Sequence, residues 1–213
     1  MRTLVLASAK GGVGKTTLAT ALAVEASKSS RVALIDLDPQ QSASRFLELR
    51  GGDNPRLVTG VEGIAEALEL VADDGFDLAI VDTAPASLSN LVAVLAAADL
   101  VVIPVRPSPL DVEASDVMIE LAGRSGRPFV FVINGALPVS TLVTGTRSLL
   151  AEHGQVADTV VTHTDAHPVA MIRGQTAAEV DRSGVCRREL QALWQEIESK
   201  LKRPRRRRSS SAT

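Results

Sequence analysis

A chain of 213 residues, 45% hydrophobic and 23% charged, is ordinary for one globular domain and long enough to bury a core. A single cysteine, Cys186, excludes an internal disulfide and any Cys-x-x-Cys metal site, and reads as a small residue at the start of the last helix. The formal charge of −2 hides an asymmetry. Seven of the 23 basic residues fall between Lys200 and Arg208, leaving 16 against 25 acids elsewhere, which points to a polyanionic partner or a solubilising end.

Apolar runs and amphipathic helical patterns alternate along the chain. They predict an α/β fold, a single domain with a mainly parallel, twisted central sheet and helices on both faces. Strands are expected at about 3–8, 31–36, 56–59, 77–81, 99–104, 128–133 and 157–161, with a last helix over about 184–202. The domain is expected to span 1–202, followed by a disordered Arg/Ser-rich tail over 203–213 that buries too little to fold. Apolar runs such as Leu91 to Ala98 are far short of a membrane span, and Met1-Arg2-Thr3 enters a strand directly, so the expected location is the cytoplasm.

The first apolar run, Leu4-Val5-Leu6, leads into Ala9-Lys10-Gly11-Gly12-Val13-Gly14-Lys15-Thr16-Thr17, and the helical pattern Leu18 to Val24 follows. Strand, glycine-rich turn and helix form a phosphate site: glycines let backbone N–H groups point inward, and the helix start adds its positive dipole end. The loop from Lys10 to Thr17 is therefore expected to wrap a nucleotide. Lys15 should reach the β- and γ-phosphates and Thr16 should ligate Mg²⁺. The plainer alternative is a glycine-rich turn carrying two solvated lysines.

The second strand ends in Asp36-Leu37-Asp38-Pro39-Gln40. Ligands bind beyond the carboxyl ends of strands in open α/β sheets, so both acids should face the phosphate loop. Asp38 could instead only cap the helix after Pro39. The run Leu78 to Val81 closes on Asp82-Thr83-Ala84-Pro85, an apolar strand ending in a carboxylate that can hold Mg²⁺ through water. Next comes Pro104-Val105-Arg106-Pro107-Ser108-Pro109-Leu110-Asp111. Its three prolines fix φ and remove donors, so a stiff, extended exit rather than a helix is expected. The strand Phe129 to Ile133 ends at Asn134, whose amide offers the donor and acceptor that suit an adenine edge.

In the last helix Leu190, Leu193, Trp194, Ile197 and Leu201 recur at helical spacing, so that face should pack on the sheet. With four Phe, one Trp and no Tyr, base stacking cannot be a main mode of recognition. Arg182, Arg187 and Arg188, with Arg203, Arg205, Arg206, Arg207 and Arg208, are candidates for phosphate contacts giving sequence-independent, salt-sensitive DNA binding. An anionic membrane surface or simple solvation are the alternatives.

The loop departs from the common pattern, with Ala9 in place of the first glycine and an extra lysine, Lys10. In this it resembles the deviant Walker A box of the ParA/MinD/nitrogenase-iron-protein ATPases, and most of all the small plasmid-type ParA proteins. Asp-x-Asp-Pro-Gln resembles their Walker A′ motif, and the proline segment resembles one that borders their nucleotide and dimer interface. The resemblance implies an ATPase using ATP and Mg²⁺ that forms a homodimer in the ATP state. Lys10 would reach the partner's nucleotide, Asp38 would orient the attacking water and Asp36 would support the Mg²⁺ shell. Pro104, Pro107 and Pro109 would lie at the dimer interface. It further implies non-specific DNA as a partner, a ParB-like centromere-binding or cargo adaptor protein that stimulates hydrolysis, and a cytoplasmic, nucleoid-associated location. A MinD-like membrane regulator is the second reading, but the sequence after Leu201 has no apolar face, so no stable membrane anchor is expected. Metallocluster relatives need cysteine ligands that this chain lacks.

Overall fold

Eight strands form a sheet in the order β3-β2-β4-β1-β5-β6-β7, with β8 also paired to β6, and every described pairing is parallel. The computed structural model describes residues 1–59, 61, 63–84 and 88–202, without the side chains of 88–90. Pro85, the tail expected over 203–213 and its arginines Arg203, Arg205, Arg206, Arg207 and Arg208 lie outside the described residues. The first half of the chain runs β1 (Arg2–Leu6), α1 (Lys15–Ala26), β2 (Val32–Asp36), α2 (Ser42–Arg50), β3 (Arg56–Val58), α3 (Ile64–Asp73), β4 (Leu78–Asp82) and α4 (Leu88–Ala97). The second half runs β5 (Leu100–Val105), α5 (Pro109–Glu113), α6 (Asp116–Ser125), β6 (Phe129–Ala136), α7 (Leu142–Ala151), β7 (Gln155–Val156), β8 (Val161–Thr162), α8 (Ala166–Met171), α9 (Ala177–Val180) and α10 (Val185–Leu201).

A parallel sheet needs helical crossovers, and these cover both faces, so its inner strands are apolar on both sides. Alternation within β1 divides the interior in two. Leu4 and Leu6 face Leu18 and Leu22 of α1 and Leu190, Leu193 and Ile197 of α10. Val5 faces the other side, with Leu95 of α4 and Met118 of α6. Each fully buried leucine contributes about 1.5–3 kcal/mol. Trp194 is buried in the first cluster, as its helical spacing predicts. This packing fixes β1 in the sheet centre, so the glycine-rich loop that follows it emerges between β4 and β5.

Two local expectations fail. The strand expected over 157–161 is split: only Gln155–Val156 and Val161–Thr162 pair with β6. Between them the Asp158 and Thr159 N–H groups donate to the Glu196 carboxylate at 2.8 and 2.9 Å. Arg147 donates to the Ala157 and Asp158 carbonyls at 2.7 and 3.1 Å. Side chains from α10 and α7 thus satisfy backbone groups that a strand would have paired. The second failure is the proline segment, which is not extended throughout: Pro109 opens α5. Ser108 caps this helix by accepting from the Asp111 N–H at 3.2 Å, and proline at the first helical position sacrifices no hydrogen bond.

Candidate nucleotide site

The strand register brings the acids together before any side chain is considered. Leu6 of β1 pairs with Asp82 of β4, and Asp82 pairs with Asp36 of β2. Two carboxylates therefore end neighbouring strands beside the loop that leaves β1. Thr83 ties this corner down, donating its hydroxyl to the Leu6 carbonyl at 2.9 Å.

Within the loop, Gly12 and Gly14 have φ of 74° and 92°. At Gly14 there is a second constraint, because an added Cβ would lie 2.2 Å from the Asn134 amide nitrogen. Gly14 precedes α1, whose start has no side-chain hydrogen-bond cap and no acid in its first turn. The first N–H groups of a helix need an acceptor from outside, and an uncapped start of this kind suits an anion. The Asn134 amide donates to the Val13 carbonyl at 2.6 Å, so the residue expected at adenine braces the glycine-rich loop.

Lys15 begins α1 and is only 6% exposed. Its ammonium donates to the Ser8 hydroxyl at 3.1 Å, and that hydroxyl donates to the Lys10 carbonyl at 2.8 Å. Burial lowers the Lys15 pKa, while the charges of Asp82 and Asp38 pull it back up. Asp82 is 0% exposed, and neither of its oxygens has a hydrogen-bond partner among the described residues. Burial pushes its pKa up to about 7; the nearby Thr16 side chain draws it down, Asp36 pushes it further up, and Lys15 and Asp38 act in smaller, opposite senses. A buried carboxylate without a donor is expensive and calls for a cation. The Thr16 hydroxyl and two carboxylates are hard oxygen donors of the kind Mg²⁺ takes, with its remaining positions left to water and phosphate.

The other two acids have local duties. Asp36 accepts from the Asp38 N–H at 3.1 Å and from the Ser44 N–H and hydroxyl at 2.8 and 2.9 Å, so it fastens the start of α2 to the site. Asp38 accepts from the Gln40 N–H at 2.9 Å and closes a tight turn rather than capping α2. That turn leaves Gln41 in the left-handed region at φ 52°, the one described non-glycine residue there.

Lys10 is half-exposed and lies 3.0 Å from the Asp111 carboxylate of α5 in the same chain. Pro104 pairs with Val132 inside the sheet; it and Pro107 are buried within the chain, whereas Pro109 is exposed. Arg182, Arg187 and Arg188 are exposed around the start of α10, and Arg187 donates to the Ala178 carbonyl at 3.2 Å. Sequence reasoning missed Ser8, Ser44, Thr83 and Asp111. Asp111 had a local signal, the Ser-Pro-Leu-Asp pattern of a helix start; Ser8 and Ser44 are set by how the chain folds back within each strand-to-helix loop, and Thr83 by which strands become neighbours.

Residues 4–182 match the family model described as the CobQ/CobB/MinD/ParA nucleotide binding domain. The chain belongs to this family. Among curated CobQ/CobB/MinD/ParA relatives, Maintenance of carboxysome distribution protein A from Gloeobacter kilaueensis is 38% identical over 137 residues, covering 60% of this chain and 58% of that one. The chromosome-partitioning ATPase Soj of Thermus thermophilus is 37% identical over 138 residues, covering 50% and 55%. The match thus spans little more than half the length of either relative. The fold of the ATP complex of a Cyanothece McdA variant superimposes with a TM-score of 0.73 at 21% identity, covering 97% of this chain and 98% of that one. Such a likeness establishes the P-loop architecture with its mostly parallel sheet.

Proposed function

We propose that this chain is a Mg²⁺-dependent ATPase of ParA type. It dimerises on ATP, holds DNA without sequence preference, and releases it when a ParB-like partner stimulates hydrolysis. The observation that carries this reading is the buried Asp82 carboxylate, without a hydrogen-bond partner among the described residues, beside Asp36 at the strand ends that flank Lys15. Such a site favours a cation with its phosphates.

In the proposed mechanism the backbone from Lys10 to Thr17 wraps the phosphates and Asn134 reaches the adenine. Thr16, Asp82 and Asp36 would hold Mg²⁺, which would supply charge neutralisation on the β- and γ-phosphates. Lys15, already held in the site by Ser8, adds a second positive charge there. Asp38 aligns the attacking water, and Lys10 reaches the partner's nucleotide with Pro109 nearby at the interface. Hydrolysis releases the dimer. Relatives named for carboxysome distribution and for chromosome partitioning both act in positioning, which supports a positioning role for this chain with plasmid, chromosome or protein cargo.

DNA is favoured over a membrane surface by how α10 is used. Its apolar face is spent on the core, and Arg182, Arg187 and Arg188 remain exposed. No described helix is long and apolar enough to cross a membrane.

The test is nucleotide binding and turnover. Wild-type protein should bind ATP and hydrolyse it with Mg²⁺, and removal of the metal by chelation should stop turnover. Lys15→Ala should lose nucleotide binding; unchanged ATP affinity would remove the site assignment. Asp38→Ala should bind ATP with turnover reduced by about 100-fold or more, the usual scale for a group that positions or activates the nucleophile. Unchanged turnover would mean that the water is aligned elsewhere.

A further inference from the structure

The contact between Lys10 and Asp111 has consequences of its own. Asp111 is 9% exposed at the first turn of α5, and its two oxygens are divided between two tasks. Oδ2 accepts from the Ser108 hydroxyl at 2.6 Å, which belongs to the helix start. Oδ1 faces the Lys10 ammonium at 3.0 Å. A helix start needs only the first of these. Burial alone would raise the Asp111 pKa; Ser108, Lys10 and Arg106 more than offset it, so the carboxylate stays charged at neutral pH.

We propose that Asp111 is an intramolecular latch that holds Lys10 in the monomer and sets the protein and ATP concentrations at which the dimer forms. This rests on the dimer reading above, in which Lys10 acts on the partner's nucleotide. In this proposal the Lys10 side chain turns from Asp111 toward the partner's nucleotide, so formation of the dimer exchanges one contact for the other. The latch therefore opposes dimerisation in proportion to what the ion pair contributes. Because Lys10 is half-exposed and screened by solvent, that contribution is modest, equivalent to about a two- to fivefold shift in the dimerisation constant. A bias of this size tunes a cycle without blocking it.

The experiment measures dimerisation of the full chain by sedimentation in Mg²⁺-ATP across protein concentration. Asp111→Asn keeps an acceptor for Ser108 and removes the charge; it should dimerise about two- to fivefold more tightly than wild type. Asp111→Glu restores the charge and should return toward wild-type behaviour. Ser108→Ala removes the capping hydroxyl, leaves the carboxylate facing Lys10, and should not tighten the dimer. Unchanged or weaker dimerisation of Asp111→Asn, with thermal unfolding like that of wild type, overturns the latch alone. Equal tightening by Ser108→Ala also overturns it, because the effect would then belong to α5 stability. A wild-type chain that binds ATP but stays monomeric overturns the dimer reading, and the latch with it.

Discussion

Asp82 costs stability so that the site can bind, and this makes a prediction at the scale of one residue. Its pKa in the fold, about 7, is above the ordinary value of 3.8. Between roughly pH 4 and 7 the folded chain therefore holds a proton that the unfolded chain has lost, and stability falls as pH rises through this window. Full ionisation costs on the order of 4 kcal/mol as an upper bound. Asp82→Asn should raise the unfolding temperature of the nucleotide-free chain at pH 8 with little effect near pH 4, and should weaken Mg²⁺-dependent ATP binding. Thermal melts at the two pH values check the first part and calorimetric titration the second. Gly14 offers a second residue-scale prediction. Alanine there meets both a φ of 92° and the Asn134 amide, so Gly14→Ala should lose nucleotide affinity through displacement of the loop. Unaltered affinity would mean that Asn134 swings away freely.

At the scale of elements, α10 works from both of its faces. Its apolar side packs Leu190, Leu193, Trp194 and Ile197 into the core, and its polar side extends Glu189 and Glu196 to the chain between β7 and α8. Trp194→Ala should cost about 3–5 kcal/mol in denaturant unfolding. Glu196→Ala should cost only about 1–2 kcal/mol, because Asp158 is exposed and water can replace the lost acceptor; hydrogen exchange should quicken at Asp158 and Thr159. The two cases show what sequence reveals and what it conceals. The apolar spacing of α10 predicts its buried face because periodicity is local. The carboxylates of Glu189 and Glu196 end a strand 27 to 38 residues away, and no local pattern announces that. The misread proline segment is different, since Ser108 and Asp111 carried a start signal that outweighed the breaking effect of Pro107 and Pro109.

For the whole molecule, strand order matters more than any motif. The spacing of apolar runs gives the strands but not that β4 lies between β1 and β2, which puts Asp82 next to both Leu6 and Asp36. That the glycine-rich loop and the three acids lie at one edge of the sheet was legible because each sits at or just after a strand end. Thr83 was not, because its partner, the Leu6 carbonyl, is 77 residues away and is chosen by strand order. Charge at this scale yields a further prediction. Removing residues 205–213 deletes four arginines, so the log–log salt slope for DNA binding should fall by up to ~3.6. An unchanged slope would assign the tail to solubility.

A nucleotide-switched grip on DNA can be read from Asp38→Ala protein, which should stay in its ATP state. Its binding to random-sequence duplex DNA and to anionic liposomes should be compared with Mg²⁺-ATP and Mg²⁺-ADP over a range of salt. DNA binding should require ATP and weaken steeply with salt, with no binding to liposomes. DNA binding that is the same in ATP and ADP, or ATP-dependent binding to liposomes without DNA, would contradict it.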